Sequence, residues 1–155
     1  MEYLLFCKAD RHKQNFVGWT PLHYAAAGGH LDCVFLLIDE PGSQRSIKDN
    51  IGMTPLHEAV AQNRFQCVQA LVNEGKTPPG ADRNAQSNFG TTALHIAAHL
   101  GYEHIVHFII DSGSNPNLRN LKGKRPMDAA KNKEIKMLLK RFTTPRRCCC
   151  CLCCT

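Results

Sequence analysis

The chain has 155 residues, of which 43% are hydrophobic and 21% are charged, and it carries a formal net charge of +6. This composition excludes a fully disordered chain, and 8 prolines with 11 glycines are too few for a collagenous or low-complexity protein. A single globular domain or a repeat array remains.

The sequence offers no stretch of about 18 consecutive apolar residues, the length that a membrane-spanning helix needs. Its first ten residues, MEYLLFCKAD, have no basic segment ahead of a long apolar run, so we expect no secretory leader. Six of the nine cysteines crowd into residues 148–154, which is unlike a disulfide framework. We therefore expect a reducing, cytosolic compartment, with membrane association or a nuclear location left open.

Positive charge is concentrated at one end of the sequence. Residues 1–118 contain 8 Lys and Arg against 11 Asp and Glu, whereas residues 119–155 contain 11 against 2. The last quarter of the chain is therefore strongly basic, while the rest is mildly acidic.

Four segments of the chain resemble one another. GWTPLHYAAAGGH begins at Gly18, GMTPLHEAVAQNR at Gly52, GTTALHIAAHLGY at Gly90 and a divergent GKRPMDAA at Gly123. This pattern resembles the ankyrin repeat, which has a period of about 33 residues and a TPLH signature. The resemblance implies an all-α solenoid of helix-turn-helix units with projecting β-turns, and a role in binding rather than catalysis.

The signature also makes local physical sense. A threonine such as Thr20 suits a helix start, and Pro21 suits the first turn, where no amide hydrogen is needed. Small alanines on one face then allow a second helix to approach closely. Gly29 and Gly101 predict left-handed ends of the first helices, with Asn63 replacing glycine in the second copy.

The repeats divide the chain into four parts. Residues 1–17 align with the second helix and turn of a truncated repeat, residues 18–120 form three full repeats, residues 121–142 form a shortened C-terminal cap, and residues 143–155 form a disordered Cys-rich tail. The truncated start indicates a fragment or isoform of a longer array. The alternative is that residues 1–8 fold as a cap of their own.

Eight histidines raise the question of metal binding or catalysis. His23, His57 and His95 occupy the signature position, where the resemblance implies hydrogen bonds between neighbouring repeats. Pairs such as His95 with His99 lack a third ligand at suitable spacing. No phosphate loop, nucleophile elbow or paired carboxylates accompany them, so we expect no metal, no cofactor and no enzymatic activity.

Positions that bind partners in the family are the turn tips and the exposed side of the first helices, which line a concave face. Apolar residues recur at these turn positions, where polar side chains are expected, and we call Phe16, Trp19, Ile51, Met53, Phe89 and Leu121 the apolar stripe. The stripe predicts a protein interface, although its side chains could instead pack between adjacent turns. The full predicted set is Phe16, Val17, Trp19, Ala27, Asn50, Ile51, Met53, Gln62, Phe89, Thr91, His99, Leu100, Leu121 and Lys124.

The tail PRRCCCCLCCT resembles the cysteine strings that are S-acylated in membrane-associated proteins. Acyl chains beside basic residues would supply the two signals that stable membrane anchoring needs. An inert tail and a nucleic-acid or metal-binding segment are the alternatives. The predicted lipidation sites are Cys148, Cys149, Cys150, Cys151, Cys153 and Cys154.

Together these features predict a monomeric, non-catalytic adaptor or inhibitor that binds another protein. An anionic membrane surface, reached through the basic C-terminal region and an acylated tail, is a second partner that the sequence allows, and nucleic acid is not expected. The alternative function is a structural fragment of a larger ankyrin array whose main partner site lies in missing sequence.

Overall fold

The computed structural model describes residues 10–39, 45–72 and 81–143, and these residues contain eight helices and no β-strand. This confirms the all-α prediction. The helices form four consecutive pairs, each preceded by a projecting turn, which we number as repeats 1 to 4. They are α1 Pro21–Gly28, α2 Leu31–Ile38, α3 Pro55–Ala61, α4 Phe65–Val72, α5 Ala93–Leu100, α6 Glu103–Asp111, α7 Pro126–Ala129 and α8 Lys133–Thr143.

The first helices of the pairs stack on one another in the order α1, α3, α5, α7, and the second helices stack as α2, α4, α6. Small residues allow the first row to pack closely: Ala26, Ala59 and Ala97 are fully buried. Larger side chains fill the space between the two rows, where Leu56 and Leu94 meet the second helices. The core is therefore continuous along the stack.

Each of the first three repeats begins its first helix with the same threonine–histidine pair. The imidazole Nδ1 of His23 accepts a hydrogen bond from the backbone N–H of Thr20 at 3.1 Å, and the Thr20 hydroxyl lies 2.9 Å from the same nitrogen. The pairs Thr54 with His57 and Thr92 with His95 repeat this geometry. Histidine thus takes the role that a glutamate has in a capping box.

The other nitrogen of each imidazole reaches the next repeat. Nε2 of His23 lies 3.3 Å from the carbonyl oxygen of Met53, and the corresponding distances are 3.1 Å from His57 to Thr91 and 3.0 Å from His95 to Lys124. Because Nδ1 accepts a backbone N–H, Nε2 carries the proton and donates. The predicted role of these histidines between neighbouring repeats is confirmed.

The four turns share one internal design. The first side chain of each turn accepts hydrogen bonds from two backbone N–H groups; the Asp49 carboxylate, for example, accepts from Ile51 at 3.0 Å and from Met53 at 2.8 Å. Neighbouring turns are then joined by backbone bonds, such as that from Asn50 N to Val17 O at 3.1 Å. The turns, numbered 1 to 4, are residues 15–19, 49–53, 87–91 and 120–124.

Glycine is required where two turns approach closely. Gly52 has a φ of 79°, and a Cβ atom added there would lie 2.5 Å from the backbone nitrogen of Asn88. The predicted left-handed helix ends are also present, with φ values of 80° at Gly29, 86° at Gly101 and 56° at Asn63. Asparagine tolerates this conformation better than other residues that carry a Cβ.

The C-terminal cap is described as far as Thr143, whereas the N-terminal end is described only from residue 10. Residues 1–9 and 144–155 lie outside the described part, so the predicted helix of the truncated repeat and the Cys-rich tail do too. In the region of the predicted cap, α7 has four residues and α8 has eleven, and α8 ends at Thr143, one residue beyond the predicted end of the cap. Helix α8 buries Ile135 and Leu139 against the stack and exposes Met137 among lysines.

The buried histidines predict that the protein loses stability in mild acid. Burial lowers the pKa of His57 from 6.5 to about 4, against the opposing effect of its bond to the Thr91 carbonyl. Between these two values the unfolded chain binds more protons than the folded chain, so the free energy of unfolding falls as the pH falls from about 6.5 to about 4. Between pH 6.5 and pH 4, this one residue accounts for a loss of about 2 to 3 kcal/mol in the free energy of unfolding.

Urea denaturation across this pH range measures the effect. We expect His57→Gln to be less stable than the unmodified chain at neutral pH but to show a shallower pH dependence, because one titrating group is gone. His107→Gln, at an exposed position of α6, is the matched control and should keep the original slope. Equal slopes for the unmodified chain and His57→Gln would contradict the prediction.

Candidate protein-binding surface

The tips of the four turns carry the most exposed apolar side chains of this surface. Phe16 is 93% exposed, Leu121 78% and Phe89 64%, and Ile51 and Val17 are about half as accessible as in an extended chain. The backbone of each tip is engaged in bonds to the neighbouring turn, as from Leu121 N to Phe89 O at 3.0 Å. The tips are therefore held in a fixed row with their apolar side chains in water.

The last position of turns 1 to 3 is less exposed than the apolar stripe predicts. Trp19, Met53 and Thr91 are half-buried there. The indole N–H of Trp19 donates to the Asp49 carboxylate at 3.2 Å, and its ring meets Tyr24 edge to face at 4.9 Å. Trp19 thus connects turn 1 to turn 2 as well as lining the surface.

The remaining predicted residues divide between the turns and the ends of the first helices. The amide group of Asn50 donates to the Phe16 carbonyl at 2.9 Å, so its side chain reinforces the row of turns. Lys124 is exposed at turn 4. At the helix ends Ala27 is half-buried, while Gln62, His99 and Leu100 are exposed.

An open groove of about 890 Å³ lies between turn 1, α1 and the end of α3. Its walls are mostly apolar, and three predicted residues, Trp19, Ala27 and Gln62, belong to them. Tyr24 stands beside Trp19 in this groove, with its hydroxyl 2.8 Å from the Asn15 amide nitrogen. We call this site the Trp19–Tyr24 groove, and its other lining residues include Pro21, Ala25, Gly28, His30 and Cys33.

Sequence reasoning missed Tyr24 as a surface residue. Tyr24 is 55% exposed and occupies the position that Glu58 and Ile96 hold in the next two repeats. A large aromatic ring directly before a run of three alanines, Ala25 to Ala27, was the signal in the sequence. Its significance depends on Trp19 lying alongside, which only the folded chain shows.

Metal ligands are not clustered in the part of the chain that the structure describes. In this part of the chain no group of three His, Cys, Asp or Glu side chains is placed to hold a metal ion. Both ring nitrogens of His95 already have hydrogen-bond partners. Of the pair His95 and His99, only His99 could therefore serve as a metal ligand. Burial raises the pKa of the Cys67 thiol, which packs in the core as a small apolar side chain.

None of the described helices is long and apolar enough to cross a membrane. The six predicted lipidation cysteines lie outside the described residues.

The different burial of two stripe residues predicts different effects on stability. Trp19→Ala removes a hydrogen bond and ring contacts between two repeats, and we expect it to lower the free energy of unfolding by about 2 kcal/mol. Phe89→Ala shortens an exposed side chain and should change it by less than about 0.5 kcal/mol. Urea denaturation of both variants tests this difference, and equal losses would contradict it.

Comparison with known proteins agrees with the repeat pattern. A search of curated proteins finds no match to the chain. Among protein-family models, one for ankyrin repeats in three copies matches residues 1–79, and one for a single ankyrin repeat matches residues 89–121. Repeats of this kind generally form protein-protein interaction modules. With its four stacked helix pairs and linked turns, the chain belongs to the ankyrin-repeat family.

Proposed function

We propose that this protein is a non-catalytic adaptor or inhibitor that binds a partner protein along its four turn tips and across the Trp19–Tyr24 groove. The observation that carries the proposal is the row of apolar side chains on tips whose backbone is already satisfied. These side chains contribute little to the core, and exposed apolar side chains clustered in this way are typical of protein interfaces.

The geometry favours tight binding in two ways. The hydrogen bonds between turns hold the tips in place, so a partner loses little affinity to ordering them. The groove beside them has a volume of about 890 Å³, which is room for a bulky apolar side chain from a partner, and well-packed apolar contacts dominate interface energies. Contacts between the partner and the turn tips would exclude water from the side chain bound in the groove.

Truncation of the tips tests the proposal. We expect the triple variant Phe16→Ala, Ile51→Ala, Phe89→Ala to bind a partner at least about thirtyfold more weakly, because exposed apolar anchors are lost while the backbone of the turns stays intact. A partner is first captured on the immobilised full chain, then purified, and its affinity for each variant is measured by calorimetry.

The matched control is Met137→Ala, which removes a side chain that is 66% exposed on α8, far from the turns in the sequence. It should leave the affinity unchanged. A triple variant that binds as tightly as the unmodified chain would exclude the turn tips as the interface.

One observation favours the alternative that a further repeat stacks on repeat 1 within a longer array. Pro21 and Cys33 are partly exposed, whereas Pro55 and Cys67, at the same positions of repeat 2, are buried by the preceding helices. In that case the main partner site lies in another repeat. A full chain that captures no partner, with or without the tip substitutions, would favour this alternative.

A membrane tether is a second function that the basic end supports. Helix α8 exposes Lys133, Lys136 and Met137, a combination suited to an anionic membrane surface, and it leads toward the Cys-rich tail. We propose that acylation of the tail cysteines, Cys148 to Cys151 with Cys153 and Cys154, would place the adaptor at a cytosolic membrane face. One acyl chain binds weakly, so the basic helix would act together with several.

Replacing all six tail cysteines with serine should move the protein from the membrane fraction to the supernatant. The reason is that the basic residues alone give only a weak attraction, which salt screens. Cell fractionation at low and high salt measures the change, and Cys33→Ser, outside the tail, is the control. A wild-type chain without hydroxylamine-sensitive thioesters would rule out the tether.

A further inference from the structure

The binding surface differs in charge from one end to the other. The tips of turns 1 to 3 carry Phe16, Val17, Asn50, Ile51, Asn88 and Phe89, none of which is charged. Turn 4 instead carries Lys122 and Lys124, both exposed. The surface is therefore apolar over three repeats and positively charged over the fourth.

A third lysine extends this positive end toward the first helices. The backbone N–H of Lys131 donates to the carbonyl of Ala98 at 3.0 Å, which places Lys131 beside the end of α5 and next to the exposed His99 and Leu100. Turn 4 and the loop after α7 thus put exposed ammonium groups at the tip and at the base of the same surface.

These ammonium groups have no acidic partner among the residues that the structure describes. Asp128 accepts the backbone N–H of Arg125 at 3.0 Å and lies 3.4 Å from its guanidinium nitrogen Nε. Glu134, the other carboxylate nearby in the sequence, is exposed on α8. Lys122, Lys124 and Lys131 are therefore available to an anionic group from outside.

The opposite end of the surface has different chemistry. The Trp19–Tyr24 groove presents two aromatic rings beside alanine and glycine, and its lining also includes Asp10, Lys13, Gln14 and Asn15. The indole N–H donates to Asp49, and the tyrosine hydroxyl accepts from the Asn15 amide. The apolar part of this lining fits a bulky apolar side chain.

We infer that the partner contributes a linear segment with a bulky apolar residue for the Trp19–Tyr24 groove and acidic residues for Lys122, Lys124 and Lys131. This inference rests on the proposed function and adds the chemistry and direction of the partner. Stacked helices lie about 8 to 10 Å apart, so repeats 1 to 4 span about 30 Å. An extended peptide covers that distance with about nine residues, which sets the spacing between anchor and acidic residues.

A peptide explains the surface better than a lipid headgroup does. Anionic lipids would satisfy the lysines but would leave the groove, three repeats away, without an occupant. One extended segment satisfies both ends and also covers the apolar tips of turns 2 and 3 that lie between them.

The probe is a displayed library of random peptides of about 16 residues, selected on the immobilised full chain. This length exceeds the roughly nine residues that an extended peptide needs to reach from the groove to turn 4. We expect enriched peptides to carry an aromatic or large aliphatic residue separated by about seven to ten residues from a pair of acidic residues. Their affinity should fall about tenfold or more for Lys122→Glu with Lys124→Glu, because attraction becomes repulsion. The charge-matched control, Lys133→Glu with Lys136→Glu on α8, should change it less than about twofold.

The outcomes separate this inference from the proposed function. Peptides that lose affinity with Phe89→Ala but not with the turn 4 charge reversal would overturn the inference and keep the binding surface. A library that enriches no peptide sensitive to the tip substitutions would overturn both. A third outcome is that phosphatidylserine vesicles bind the full chain, that the turn 4 charge reversal abolishes this binding, and that the same reversal leaves peptide affinity unchanged. In that case the lysines bind a membrane and the inference is wrong.

Discussion

The stack depends on a buried, neutral imidazole in each of its first three repeats. His23, His57 and His95 each accept at Nδ1 from the start of their own helix and donate at Nε2 to a carbonyl of the next turn. A protonated ring would lose its acceptor, and burial disfavours its charge, so the arrangement requires the neutral form. Asp128, at the same position of repeat 4, accepts from Arg125 but has no proton for a further carbonyl.

The bonds between turns follow from this arrangement. Each imidazole holds the next turn by the carbonyl of its last residue, and the first side chain of that turn closes it from within. The backbone of the tips is then occupied, and the Asn50 and Asn88 amides add bonds to the preceding turn. The apolar tip side chains, such as Phe16 and Phe89, take almost no part in these bonds, and this supports the proposed partner surface.

Repetition of the backbone leaves side chains as the source of specificity. Trp19 in repeat 1 corresponds to Lys124 in repeat 4, and Val17 corresponds to Lys122, so one continuous surface has an apolar end and a basic end. The exposed lysines of α8 belong to a separate face on the second row of helices. The proposed partner surface and the proposed membrane tether therefore use different helices.

The sequence by itself determined the repeats, the helices and their ends, because these depend on local interactions. Pro21 at a first turn, and Gly101 and Asn63 at left-handed ends, could be assigned from their neighbours in the chain. The role of histidine at the signature position followed from the resemblance to the ankyrin repeat, since its bond reaches the next repeat. The tertiary structure alone decided which stripe residues are exposed. Trp19 is half-buried because Asp49, thirty residues away, accepts its indole N–H, and the groove exists because Tyr24 stands beside it. Burial of a side chain in a repeat array depends on the neighbouring repeat, and sequence patterns within one repeat do not contain that contact.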